Sequence, residues 1–293
     1  MTAAHPFRAI LLFNVGLMLF ACMDTTNKYL AASFDVPMIA ACRYGGHLLL
    51  MLAFFGPRRA REMVHTERTG LVWLRAICLC GSTMFVVLAF KRMPVAETSA
   101  IVFLTPILVA LAAGPLLGET IGWRGWAGAL LGFIGVVLIV RPGSGLDAVG
   151  VLYAMGCAVA SATYNLLSRL LASTERTIAL LFYTALVGTI LFGGALPWYW
   201  ADRVPTAFEA LLLASLAVYG GLGHFLFTAA FREAPASVLS PISYLQLLWV
   251  SLLGWLVFDH IPDPVSLLGM AIIGASGVLV ALKSRRGPVE EVA

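Results

Sequence analysis

Charge is scarce in this chain. Asp, Glu, Lys and Arg make up 12% of its 293 residues, about half the share of an ordinary soluble domain. Hydrophobic residues make up 60%, and the mean hydropathy is +0.93. A water-soluble globule cannot hide that much apolar surface, so the composition predicts an all-α integral membrane protein. Signatures of chemistry are missing as well. The sequence has no HExxH metal motif, no glycine-rich phosphate loop between strand and helix, and no nucleophile paired with a base. That counts against the main alternative class, a membrane-embedded lipid-modifying enzyme, and no cofactor or metal is expected. No ring of acidic or carbonyl groups marks a channel. The five cysteines, Cys22, Cys42, Cys78, Cys80 and Cys157, all lie in apolar runs and none has CxxC spacing. They read as buried thiols. The net charge of +4 is scattered between those runs, so no nucleic acid partner is expected.

Long apolar runs are what the sequence does have. About 20 apolar residues carry a helix across the ~30 Å hydrocarbon core of a bilayer. Ten such segments are read, approximately at 8–32, 37–56, 70–91, 95–114, 123–141, 147–171, 176–199, 208–231, 235–257 and 263–283. Arg8 and the LFAC run at 19–22 resemble a lipoprotein signal, but the apolar run continues to Leu30, and the segment reads as a first span. Alternating the spans places twelve Lys and Arg on one side and five on the other, which predicts both termini in the cytoplasm. Trp198, Tyr199 and Trp200, like Trp123 and Trp126, fall at span ends and read as interfacial aromatics.

The chain also repeats itself. AFKRMPVAETSAIVFL at 89–104 returns as AFREAPASVLSPISYL at 230–245, an offset of 141 residues. The same offset lays Lys28 on Arg169, Asp24 on Asn165 and Gly128 on Gly269; one residue on, Gly132 and Gly135 fall on Gly274 and Gly277. Two units follow, 1–143 and 144–293. Five spans per unit is an odd number, so the second unit enters the membrane from the opposite side, the inverted-repeat plan of secondary transporters. The turn prolines Pro94 and Pro235 then mark hairpins at opposite mouths, which read as alternating gates. The mid-span prolines Pro106 and Pro241 read as fixed kinks or as hinges. The glycines of the fifth and tenth spans read as close-contact positions, either internal or at a homodimer seam.

These features resemble the EamA type of the drug/metabolite transporter superfamily. The resemblance rests on the five-span duplication, Gly118–Glu119 closing the fourth span, Lys28 and Arg169 at span ends, Arg43 in the second span and LLGFIGVVLIV at 130–140. It covers about 8–283 and implies a multi-pass carrier of small metabolites in a bacterial inner membrane. The exporters of aromatic amino acids form one branch of this group, so amino acid export by alternating access is the expected activity, with transport of a different metabolite or drug class as the alternative. In the second unit His260 stands where the first has Glu119, a departure from the motif.

Few polar groups lie inside the spans, where each ionised one costs at least ~2.5 kcal/mol unless paired or wetted. Asp24, Asn27 and Lys28 share a face of the first span, and Arg43 and His47 share one of the second. Asp24 and Arg43 are expected to pair, either as helix glue or beside the substrate path. Glu97, Thr98 and Ser99 open the fourth span. Glu97 reads as a first-turn acid or as a proton-coupling group. The remaining candidates for a midplane substrate site are Ser82, Thr83 and Phe85; Phe103; Tyr164 and Asn165; His224 and Phe227; and Tyr244, Gln246 and Trp249. Phe103 and its repeat equivalent Tyr244 are the pair favoured most.

Overall fold

The computed structural model describes residues 6–105, 107–109, 111–112, 123–141, 145–171, 174–200, 204–233 and 244–283. Among them are ten helices: α1 (Pro6–Ala31), α2 (Val36–Val64), α3 (Thr69–Arg92), α4 (Val95–Val102), α5 (Trp123–Val140), α6 (Ala148–Leu171), α7 (Thr177–Tyr199), α8 (Ala207–Glu233), α9 (Leu245–Phe258) and α10 (Pro264–Lys283). In α1, α2, α3, α6, α7 and α8 the helix is long and apolar enough to cross a membrane, and the other four include shorter apolar stretches. Leu49, Phe54, Phe133, Phe225, Leu248 and Leu256 are all more than 60% exposed, apart from the tryptophans at the helix ends. A soluble fold would not carry such a surface. Lipid solvates it, and the helix satisfies the backbone that lipid cannot.

Polar side chains set the helix ends. Pro37 lies in the first turn of α2, where a missing N–H costs nothing. Thr206 and Glu209 form a reciprocal capping box at the start of α8, with Glu209 Oε2 accepting from the Thr206 N–H at 2.9 Å. Glu175 accepts the Glu67 and Arg68 N–H groups ahead of α3, at 3.0 and 2.6 Å. Asp259 closes α9 in the left-handed region at φ 53°. Asp263 caps α10 through the Val265 and Ser266 N–H groups and also holds Arg141 at 2.8 Å.

Helices of the first half pack on helices of the second. α1 runs along α8, α3 along α6, α2 along α7 and α5 along α10; α1 also meets α9, and α4 meets α6. Exchanging α1–α5 with α6–α10 swaps α1–α8 with α3–α6 and α1–α9 with α4–α6, and leaves α2–α7 and α5–α10 unchanged. α5 and α10 approach at Gly135 and Gly269, where a Cβ on either residue would lie 2.7 or 2.6 Å from the other's carbonyl oxygen. Only hydrogen fits there, so among the described residues these two glycines serve internal packing.

Two spans depart from their sequence reading. α2 runs eight residues past the expected end at 56, bending through Pro57 with Arg59 at φ −135°, ψ 22°. α4 breaks after Val102, with a turn at Phe103 and Leu104, and helical backbone returns at residues 105, 107–109 and 111–112 within the expected span. Pro106 lies outside the described residues, but a proline there has no N–H to give the Val102 carbonyl four positions back. That carbonyl instead accepts the Thr105 hydroxyl at 2.7 Å. α9 begins at Leu245 with Tyr244 as its N-cap, the repeat equivalent of the α4 break at Phe103. Pro94 is the extended N-cap of α4. Pro235 and Pro241, like Gly118 and Glu119, lie outside the described residues.

Candidate functional site

A cavity of about 210 Å³ lies among α1, α2, α3, α4, α6, α8 and α9. Eight of the sixteen substrate-site candidates line it: Asp24, Asn27, Arg43, Ser82, Thr83, Phe103, His224 and Gln246. Phe20 forms an aromatic corner with His224, ring centroids 4.9 Å apart. One charge of each sign therefore borders a largely apolar space, the usual composition of a small-molecule site.

Asp24 and Arg43 do not form the expected ion pair. Asp24 accepts from Gln246 Nε2 at 3.4 Å. Arg43 donates to Thr83 Oγ1 at 3.3 Å and lies 5.2 Å from the Tyr44 ring centroid. The cavity keeps the two charges apart, because Tyr44 and Thr83, joined at 2.7 Å, hold the guanidinium on the α3 side. Asn27 is 1% exposed, and its Nδ2 has no hydrogen-bond partner among the described residues. A buried donor left unmatched costs about 1–3 kcal/mol. A bound acceptor would recover that.

The other eight candidates lie elsewhere. Lys28 caps the end of α3, donating to the carbonyls of Phe90 and Met93 at 2.8 and 2.7 Å; its long stem carries the ammonium past the cavity to the helix end. His47 is half-buried on α2, against Gly221. Phe85 stacks on Tyr153 at the protein's surface. Tyr164 bonds Arg75, Asn165 is exposed, and Phe227 stacks on Phe13 between α8 and α1. Trp249 donates to Asn14 Oδ1 at 3.0 Å, tying α9 to α1. Tyr244 packs on Phe103 behind the cavity wall, and its buried hydroxyl has no partner among the described residues.

Sequence reasoning missed several residues. Ser161 and Cys157 line the cavity from α6, with Ser161 Oγ 2.6 Å from Ser82 Oγ and Cys157 Sγ 3.3 Å from it. Their spacing of four puts them on one helix face, a signal that was available in the sequence. Arg75 is buried and bonds Ser168, Leu180, Thr184 and Tyr164, joining α3 to α6 and α7. Among the described residues it has no carboxylate partner.

Comparison with known proteins decides the family. The model of the EamA-like transporter family matches this chain twice, at residues 7–141 and 148–282. The chain belongs to the EamA-like transporter family. It is a multi-pass membrane transporter of small metabolites. This EamA-like chain is 25% identical to an S-adenosylmethionine uptake transporter of Rickettsia bellii, over 96% of this chain and 95% of that one. A riboflavin transporter of Vibrio cholerae is 26% identical over 96% and 97%. A solved crystal structure, 22% identical, matches with a TM-score of 0.67 over 96% of both chains, which shows the shared fold. None of these relatives is named as an amino acid exporter.

Proposed function

We propose that this protein carries a small zwitterion with an α-amino-acid headgroup and a flat ring across a bacterial inner membrane by alternating access. The two matched segments act as inverted repeats with both termini in the cytoplasm, and the cavity is the substrate site. The Asn27 amide nitrogen, unpartnered among the described residues and lining the same cavity as Asp24 and Arg43, carries this reading. A carboxylate bound there would satisfy Asn27 and face Arg43, while an ammonium would face Asp24. Phe20, Phe103 and His224 offer ring faces for the rest of the molecule. S-adenosylmethionine, named for the Rickettsia relatives, carries that headgroup, as do the aromatic amino acids expected from the sequence. We take uptake as the direction, following those relatives' names. The hinge role of Pro106 and Pro241 belongs to the same reading.

Proteoliposome counterflow with labelled S-adenosylmethionine, tryptophan and riboflavin tests it. Saturable counterflow of a zwitterion, lost in Asp24→Asn, Arg43→Gln and Asn27→Leu, supports the reading. Counterflow of riboflavin alone, or of a zwitterion unaffected by all three substitutions, overturns the headgroup assignment.

A further inference from the structure

Glu97 is in the first turn of α4, and its side chain is 4% exposed. Its Oε1 lies 3.0 Å from His260 Nε2. Its Oε2 is buried and has no hydrogen-bond partner among the described residues. A first-turn acid that served only to cap its helix would accept backbone N–H groups, and Glu97 accepts none. The Thr98 N–H goes to the Pro94 carbonyl instead.

The neighbouring charges are committed elsewhere. On α1, Lys28 is close enough to interact electrostatically with Glu97, but its ammonium bonds the Phe90 and Met93 carbonyls. On α3, Lys91 holds Asp35, and Arg92 holds Asp147 at the start of α6. Arg141, following α5, holds Asp263 at the start of α10. Asp259, at the end of α9, is exposed. Among the described residues, His260 alone hydrogen-bonds the Glu97 carboxyl, and the His260 side chain is itself 38% exposed. The histidine therefore links water to a carboxyl that water does not otherwise reach. Two residues further along α4, Ser99 lines the substrate cavity, as do Val102 and Phe103.

We propose that Glu97 carries the coupling proton of the transport cycle and takes it from the outer solution through His260. The assignment rests on the uptake reading above. In the loading step the His260 imidazolium gives its Nε2 proton to Glu97 Oε1. The N–H bond breaks, the O–H bond forms, and the ion pair becomes a neutral pair. The imidazole then takes a new proton from outer water. Once the cavity faces inward, the Glu97 O–H bond breaks and its proton passes to water on that side. One proton accompanies each substrate inward. The equivalent position in the second half is Val238, so a cycle has one such carrier and not two.

Two measurements on the reconstituted full-length protein test this. The first is infrared difference spectroscopy across a pH titration, which reads the protonated-carboxyl C=O stretch. A band that titrates in wild type, disappears in Glu97→Gln and loses its fast exchange in His260→Gln is expected. No titrating band attributable to Glu97 overturns the proposal. The second compares counterflow with accumulation of labelled S-adenosylmethionine and tryptophan under an inward proton gradient. One pH unit supports about ten-fold accumulation per coupled proton. Glu97→Gln should keep counterflow and lose that ten-fold accumulation; accumulation equal to wild type overturns the proposal. Absence of wild-type counterflow for both probes would count against the substrate reading alone, and the infrared measurement would still decide the role of Glu97.

Discussion

Phe103 and Tyr244 touch, with ring centroids 5.4 Å apart and planes inclined at 42°. They are repeat equivalents, one closing α4 and the other opening α9. Two helix ends thus meet through one aromatic contact, and Phe103 alone of the two reaches the cavity. Tyr244→Phe removes a buried hydroxyl that has no partner among the described residues, so it is expected to be neutral or stabilising by up to about 1 kcal/mol. Phe103→Ala opens a void and costs about 3 kcal/mol or more. Thermal unfolding in detergent followed by tryptophan fluorescence reads both. A clear loss of stability in Tyr244→Phe would mean that the hydroxyl has a partner in solution.

Lys28→Met removes two charge-assisted bonds from the end of α3 and is expected to cost about 1.5–3 kcal/mol of stability. Lys28 does not line the cavity, so substrate affinity measured without a gradient should stay at the wild-type value. A large fall in affinity with little change in melting temperature would return Lys28 to the binding site.

Arg75 presents a contrast between two substitutions. Its planar guanidinium reaches Ser168, Thr184 and Tyr164 together, with Tyr164 also stacked at 4.3 Å. A lysine keeps the buried charge but cannot span those acceptors. Methionine removes the charge altogether, which is often tolerated. Arg75→Lys should therefore melt at or below the temperature of Arg75→Met. The reverse order would show that charge at this position matters more than the fork.

Asp263 sits outside the α10 span, and its carboxyl is held well below the usual carboxylate range, first by the Ser266 hydroxyl and then by Arg141. The folded chain thus binds fewer protons there than the unfolded chain does. Its contribution to stability is complete above the ordinary aspartate value and is lost as pH falls through the depressed one. Wild type and Asp263→Asn should differ most near neutral pH and converge in acid. A constant difference across that range would contradict the linkage.

The membrane class and the helical segments were legible because span length and apolar composition are local properties. Asp24, Asn27 and Arg43 were legible for a related reason: a polar group inside a span has few explanations besides a partner or a wet cavity. What those groups do with each other was not legible. Lys28 shares a helix face with Asp24, yet its stem is long enough to reach α3. The Asp24–Arg43 pair failed because Thr83 and Tyr44, from two other elements, compete for the guanidinium. Arg75 was passed over since its partners lie on α6 and α7, about ninety or more residues away. The break in α4 precedes Pro106, and only the Thr105 hydroxyl bond shows where the freed carbonyl turns.

The pairing of α1 with α8 and of α3 with α6 also bears on how the chain is made. α1 carries Asp24 and Asn27 into the membrane long before α8 and α9 have been synthesised. During that interval its polar face has neither His224 nor Gln246 beside it. The first half must wait, held by the insertion machinery or by the α1–α3 contacts it can already make. The order of synthesis thus leaves the future cavity as an open seam until the ninth helix arrives.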